Sequence, residues 1–185
     1  MGAAPSPTDT FDGLYSEVAP AIFAWASLRI RGPLRSRLDP EDVLQEVCFR
    51  AWRAFAQFDP ALGTFRSWVF GIANRVLQEA LRSLAKNPAH PTQTAASSAL
   101  RELPNNTSNI SQRVVKDELL RTVVTRLGQL DEPDRKLFIL RGLEGMPHSD
   151  VAALLSVSPE VAAKRWQRLR DRLAEDSMIK NLVAV

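Results

Sequence analysis

At 185 residues, 45% hydrophobic and 24% charged, the chain has the make-up of an ordinary globular protein with room for one or two domains. A formal charge of +3 and an isoelectric point near 9.4 admit nucleic acid as a partner without requiring it. The single Cys48 excludes an internal disulfide, and two histidines (His90, His148) with one thiol match no metal-ligand spacing, so neither a metal nor a cofactor is expected.

The first ten residues lack a basic segment followed by an apolar run, and no stretch approaches the ~20 apolar residues that span a bilayer. A cytoplasmic location without membrane insertion is the expectation. No run alternates with period two, and no internal repeat is visible. The pattern predicts an all-α protein of two small helical domains, 11–84 and 114–176, joined by a flexible linker over 85–113. That linker is rich in Pro, Ser, Thr, Asn and Ala and lacks a helical or strand period.

In the first block, Asp39 can cap a helix, Pro40 suits its first position, and Glu41 and Asp42 favour the positive end of its dipole. Leu44, Val47, Cys48, Ala51 and Phe55 then share one face, the expected core side, with Cys48 as a small buried apolar residue. Asp42, Gln45, Glu46, Phe49, Arg50 and Arg53 occupy the other. That side is either a solvated face with a Glu46–Arg50 pair or a docking surface with an exposed Phe49. Phe55, Phe58, Phe65, Trp68 and Phe70 crowd around a loop marked by Asp59-Pro60 and Gly63, and Thr64 can cap the next helix. Such aromatics are either core pillars or platforms for unstacked bases. The following helix buries Val69, Ile72, Ala73, Val76 and Ala80 and presents Asn74, Arg75, Gln78 and Arg82.

In the second block, Asp131-Glu132-Pro133 opens a helix that Gly142 can close. A short helix, about 149–155, follows Pro147. After the three-residue turn Ser156-Val157-Ser158, Ser158 caps and Pro159 starts a helix running to about Leu173. Two helices so joined match a helix-turn-helix. The last helix presents Lys164, Arg165, Arg168, Arg170 and Arg172 against Glu160 and Asp171, either as a solvated basic face or for groove insertion. On insertion, Glu160 and Lys164 are placed to read bases, and Arg165 and Arg168 to meet phosphates. No nucleophile–base pair or phosphate-binding glycine loop argues for an enzyme.

Residues Asp42-Val43-Leu44-Gln45-Glu46-Val47-Cys48-Phe49-Arg50-Ala51-Trp52 resemble region two of bacterial sigma factors of the extracytoplasmic-function group. So do Phe58-Asp59-Pro60 and Thr64-Phe65-Arg66-Ser67-Trp68-Val69-Phe70-Gly71-Ile72-Ala73. The stretch 130–173, with Leu143-Glu144-Gly145 ahead of the helix-turn-helix, resembles that group's region four.

The resemblance implies an alternative sigma factor that binds core RNA polymerase at its clamp coiled coil and flap. Asp42, Gln45, Glu46, Phe49 and Arg50 would meet the clamp. Phe58, Phe65, Arg66, Ser67, Trp68, Asn74, Arg75, Gln78 and Arg82 would engage the minus-10 element of promoter DNA. Ser158, Pro159, Glu160, Ala163, Lys164, Arg165 and Arg168 would engage the minus-35 element. An anti-sigma factor is a further implied partner, and no small-molecule substrate is. The chain departs from the family in the Asn74-Arg75 order, in Glu79 where Asp is usual, in Ser156 where Gly is common, and in Pro147 for a Ser or Thr cap. The alternatives are a helix-turn-helix regulator acting without polymerase and an interaction protein that sequesters an anti-sigma factor.

Overall fold

The computed structural model describes residues 7–86 and 103–183 and, among them, helices and turns but no strand. The chain forms two compact units, 1–116 and 117–185.

The first unit is built on α1 (Pro7–Arg29), which packs on α2 (Pro40–Ala54), α3 (Phe65–Lys86) and α4 (Asn105–Lys116). Its second half is buried nearly all round, through Ile22, Phe23, Trp25, Ala26 and Leu28, as a helix apolar on every side must be. Pro20 lies inside α1, where it removes a backbone donor. Asp39 caps α2 as its sequence predicts, accepting the Glu41 N–H at 2.9 Å, with Pro40 at the first position. Val43, Leu44, Val47, Cys48 and Ala51 face the core.

The helix α4 begins inside the stretch expected to be a tether and runs three residues past its expected end. Its Asn, Ser, Thr and Val residues are poor helix formers in isolation. Its seat on α1 and α2 supplies what propensity does not, burying Thr107, Ile110, Ser111 and Val114. Thr107 Oγ1 donates to Asp12 Oδ1 at 2.5 Å, and Cys48 Sγ lies 3.9 Å from the Thr107 carbonyl oxygen. The first unit therefore ends at Lys116, not near Leu84. Residues 87–102 of the proposed tether lie outside the described residues.

The second unit holds α5 (Glu118–Gly128), α6 (Glu132–Leu137), α7 (His148–Leu155), α8 (Pro159–Leu173) and α9 (Ser177–Leu182). Asp131 caps α6, accepting the Asp134 N–H at 3.0 Å. From Phe138 to Leu143 the helix continues in π geometry, and the Glu144 N–H donates to the Ile139 carbonyl, five residues back. Gly142 therefore does not close the helix. It is buried, and a Cβ there would lie 2.9 Å from Trp166 Cη2, so its role is close packing. The positive φ falls later, at Gly145 (73°). The tail beyond 176, unassigned from sequence, forms α9 within this unit. Asp176 caps it and pairs with Arg126 at 3.2 Å, and Ile179 and Leu182 are buried.

Candidate nucleic-acid interfaces

Three surfaces carry the residues singled out by sequence. The first is the outer side of α2. Asp42 and Gln45 are half-buried there, and burial, then the neighbouring Asp39 carboxylate, pushes the Asp42 carboxyl above its ordinary value. Glu46 and Phe49 were expected on an open face, but both are buried. Arg50 explains Glu46: its Nε meets Glu46 Oε1 at 2.6 Å while its Nη1 reaches Glu79 Oε2 on α3, also at 2.6 Å. Burial pulls the Arg50 guanidinium down, and the bonds to Glu79 and Glu46 more than offset it, leaving the cation stabilised. Phe49 is covered in part by the Arg53 guanidinium, 5.5 Å from its ring centroid. The i,i+4 pair that the spacing predicts is thus present, and Arg50 extends it into a bridge across α2 and α3.

The second surface is the aromatic loop between α2 and α3. Asp59 Oδ1 accepts the Ala61 N–H at 2.9 Å, and Thr64 Oγ1 accepts the Ser67 N–H at 3.2 Å, so Thr64 caps α3 as expected. Phe65 is a buried pillar, its ring centroid 6.0 Å from Phe11, 5.5 Å from Phe58 and 5.6 Å from Trp68. Phe58 and Trp68 are half-buried with centroids 5.4 Å apart, keeping part of each ring accessible. Together with Leu14, Pro60, Leu62 and Thr64, Phe58 and Phe65 line an open depression of about 690 Å³. Leu62 at its edge is 89% exposed, and no sequence reading singled it out. Arg66 lies over Phe70 at 5.2 Å, and burial pushes its guanidinium down to about 10. Beyond the loop, Arg75, Gln78 and Arg82 are exposed on α3 as predicted. Asn74 is only half-exposed, because its amide donates back to the Phe70 carbonyl at 3.1 Å.

The third surface is the α7–α8 pair. Ser156 takes φ 55°, ψ 43°, the left-handed conformation that glycine adopts freely. Around it the Val157 N–H donates to Ala152 O at 3.0 Å and the Ser156 N–H to Ala153 O at 3.3 Å, closing α7 in a Schellman motif. Ser158 then caps α8, accepting the Val161 N–H at 3.3 Å. The predicted helix-turn-helix is present in residues and order. Ala162, Trp166, Leu169 and Leu173 anchor α8, and Glu160, Lys164 and Arg168 are exposed. Ser158 and Pro159 are exposed as well, and Ala163 is half-buried.

Arg165 departs from expectation. Its Nε bonds Asp134 Oδ1 at 2.5 Å and its Nη2 bonds Asp131 Oδ2 at 3.2 Å, while Arg172 Nη2 also bonds Asp134. Burial pushes Asp134 up, but the guanidiniums of Arg165 and Arg172 outweigh it and hold its carboxyl below the ordinary value. Arg165 thus pins α8 to the start of α6. Asp131 and Asp134 lie more than thirty residues away in sequence, with no periodic signal linking them to Arg165. The same unit has a half-open pocket of about 350 Å³ among Phe138, Trp166, Leu173 and Ile179, with Arg141, Arg170, Asp171 and Lys180 also lining it. Among the described residues no cluster of His, Cys, Asp or Glu is placed to hold a metal ion, and no helix is long and apolar enough to cross a membrane.

Comparison with known proteins matches these two units to two sequence families. Residues 14–87 match Sigma-70 region 2, and residues 120–173 match Sigma-70, region 4. The chain is 28% identical over 138 residues to the RNA polymerase sigma factor CnrH of Cupriavidus metallidurans, covering 74% of this chain and 72% of that protein. It is 24% identical over 172 residues to the RNA polymerase sigma factor CarQ of Myxococcus xanthus, covering 90% and 91%. It is 25% identical over 160 residues to the ECF RNA polymerase sigma factor SigD of Mycobacterium tuberculosis, covering 84% and 73%. No solved structure matches the chain significantly.

Proposed function

This chain belongs to the sigma-70 family and is an alternative sigma factor of the extracytoplasmic-function group, acting in transcription initiation; on that premise we propose how its surfaces divide the work. The family implies that it binds RNA polymerase and promoter DNA. The α2 face, led by Asp42 and Gln45 with the Glu46–Arg50–Glu79 bridge behind them, docks on the polymerase clamp. Supporting this reading are the half-exposed Asp42 and Gln45 and the burial of Glu46, which makes it a brace for that face more than a direct contact.

The loop depression receives a base unstacked from the minus-10 element against Phe58 and Phe65, which line it, while Trp68 packs on both rings. Arg75, Gln78 and Arg82 continue that contact along α3. In the second unit α8 enters the major groove of the minus-35 element. Glu160 and Lys164 meet base edges there, and Arg168 meets phosphate. The half-open pocket between α8 and α9, apolar at Phe138, Trp166, Leu173 and Ile179 and charged at Arg141, Arg170, Asp171 and Lys180, suits the polymerase flap. The protein works by binding, not by making or breaking bonds: contacts to polymerase and DNA offset the cost of unstacking bases. It acts in the cytoplasm, and an anti-sigma factor is its regulatory partner.

The observation that carries this reading is the ordered pair of family matches on two separately compact units. Its test is promoter-dependent RNA synthesis in vitro, with purified core polymerase, this protein and a library of genomic promoter fragments. Specific transcripts that require the protein are the expected result, and Asp42→Lys abolishes them together with polymerase binding. Tight, specific DNA binding without any association with polymerase would replace this reading with that of a simple helix-turn-helix regulator.

A further inference from the structure

We propose that Gln167, on the outward face of α8, reads an adenine in the minus-35 element and that Asp171 sets its amide for that contact. This rests on the reading of α8 as the helix that enters the major groove. At about 100° per residue, the side opposite the buried Ala162, Trp166, Leu169 and Leu173 carries Glu160, Lys164, Gln167, Arg168 and Asp171. Gln167 therefore lies beside Lys164, on the side away from Arg168, on the surface that meets the groove, and it is exposed.

Its orientation is chemically determined. Gln167 Nε2 lies 2.9 Å from Asp171 Oδ1. A carboxylate can only accept, so the amide nitrogen, not the oxygen, faces Asp171. One amide N–H is used there, and the second N–H and Oε1 remain to point outward as a donor–acceptor pair. In the major groove adenine offers the complement, the N6 amino group as donor beside N7 as acceptor. Guanine offers two acceptors at that edge. Asp171 is also the only acid after Glu160 in a helix otherwise carrying Lys164, Arg165, Arg168, Arg170 and Arg172. A carboxylate on a face that meets phosphate is repelled by it, and the orienting bond to Gln167 gives that charge a use. The plainer account is an i,i+4 pair that only steadies the helix.

The experiment assembles the full chain with core polymerase and selects binders from duplex promoters randomised over the upstream element. The wild type is expected to enrich adenine at one position. Gln167→Ala should relax that position alone, and Asp171→Ala should relax it in part. Replacing that adenine by 7-deazaadenine, which lacks N7, should weaken wild-type binding about ten- to a hundred-fold and leave Gln167→Ala nearly unaffected. Unchanged preferences in Gln167→Ala, or a relaxed position that is not adenine, would overturn the assignment while leaving the sigma reading intact. Polymerase binding with no upstream sequence enriched by the wild type would overturn the groove reading of α8 and this inference with it.

Discussion

Ser156 holds a left-handed backbone at φ 55° without being glycine. Its Cβ is crowded there and a glycine's absence of one is not, so Ser156→Gly should stabilise the second unit by about 1 kcal/mol. Thermal denaturation checks this. Gly142 shows the reverse case. A methyl group there meets the buried Trp166 ring at 2.9 Å, and Gly142→Ala should cost about 1–3 kcal/mol in denaturant titrations. Cys48 is fully buried, and burial pushes its thiol up to about 12 from an ordinary 9.0. At pH 8 the folded protein thus holds about a thousandfold less thiolate than an unfolded chain. Maleimide labelling should therefore report unfolding, and fast labelling of the native protein would contradict the packing of α4 over Cys48. Glu46 is a caution for mutational design. Glu46→Lys sets an ammonium beside Arg50 in a buried position, so it disturbs the first unit as well as any docking. Asp42 and Gln45 test docking more cleanly.

At the scale of elements, α8 is held by charge as well as by its apolar stripe. Asp134 accepts from both Arg165 and Arg172, and its folded pKa lies below the ordinary value. A depressed carboxyl contributes stability that is present above its unfolded value, about 3.9, and is lost as pH falls through the folded one. Asp134→Asn should therefore destabilise the unit at neutral pH by about 2 kcal/mol and flatten its stability profile below about pH 4. The same bonds change the expected DNA behaviour. Arg168→Ala should reduce the salt slope of promoter binding by about 0.9. Arg165→Ala should lower stability more than the slope, because two of its nitrogens already meet carboxylates. A loss of about 0.9 from the slope in Arg165→Ala, with stability unchanged, would return that residue to the phosphate contacts.

For the molecule as a whole, the boundary between the units is the point of most consequence. Because α4 belongs to the first unit, a fragment ending at Lys116 should fold with its Cys48 protected from labelling. One ending at Lys86 lacks the helix that carries Thr107, Ile110, Ser111 and Val114, and its Cys48 should label rapidly. Equal protection in the two fragments would show that α4 adds little to the first unit.

The sequence by itself determined the helical class, the helix starts at Asp39, Thr64, Asp131 and Ser158, the helix-turn-helix and the family. These follow from local rules: a capping oxygen satisfies free N–H groups within three residues, and an apolar stripe repeats within one helix. Only the tertiary structure decided what depends on partners far along the chain. The helix α4 exists on a seat made by α1 and α2, and Arg165 is claimed by carboxylates on α6. Arg50 draws Glu79 from α3, and Gly142 makes room for Trp166. Residues with weak local preference, such as Asn105 to Lys116, take their conformation from the surface they bury against. Charged residues find partners by proximity in space, which no spacing within a single helix encodes.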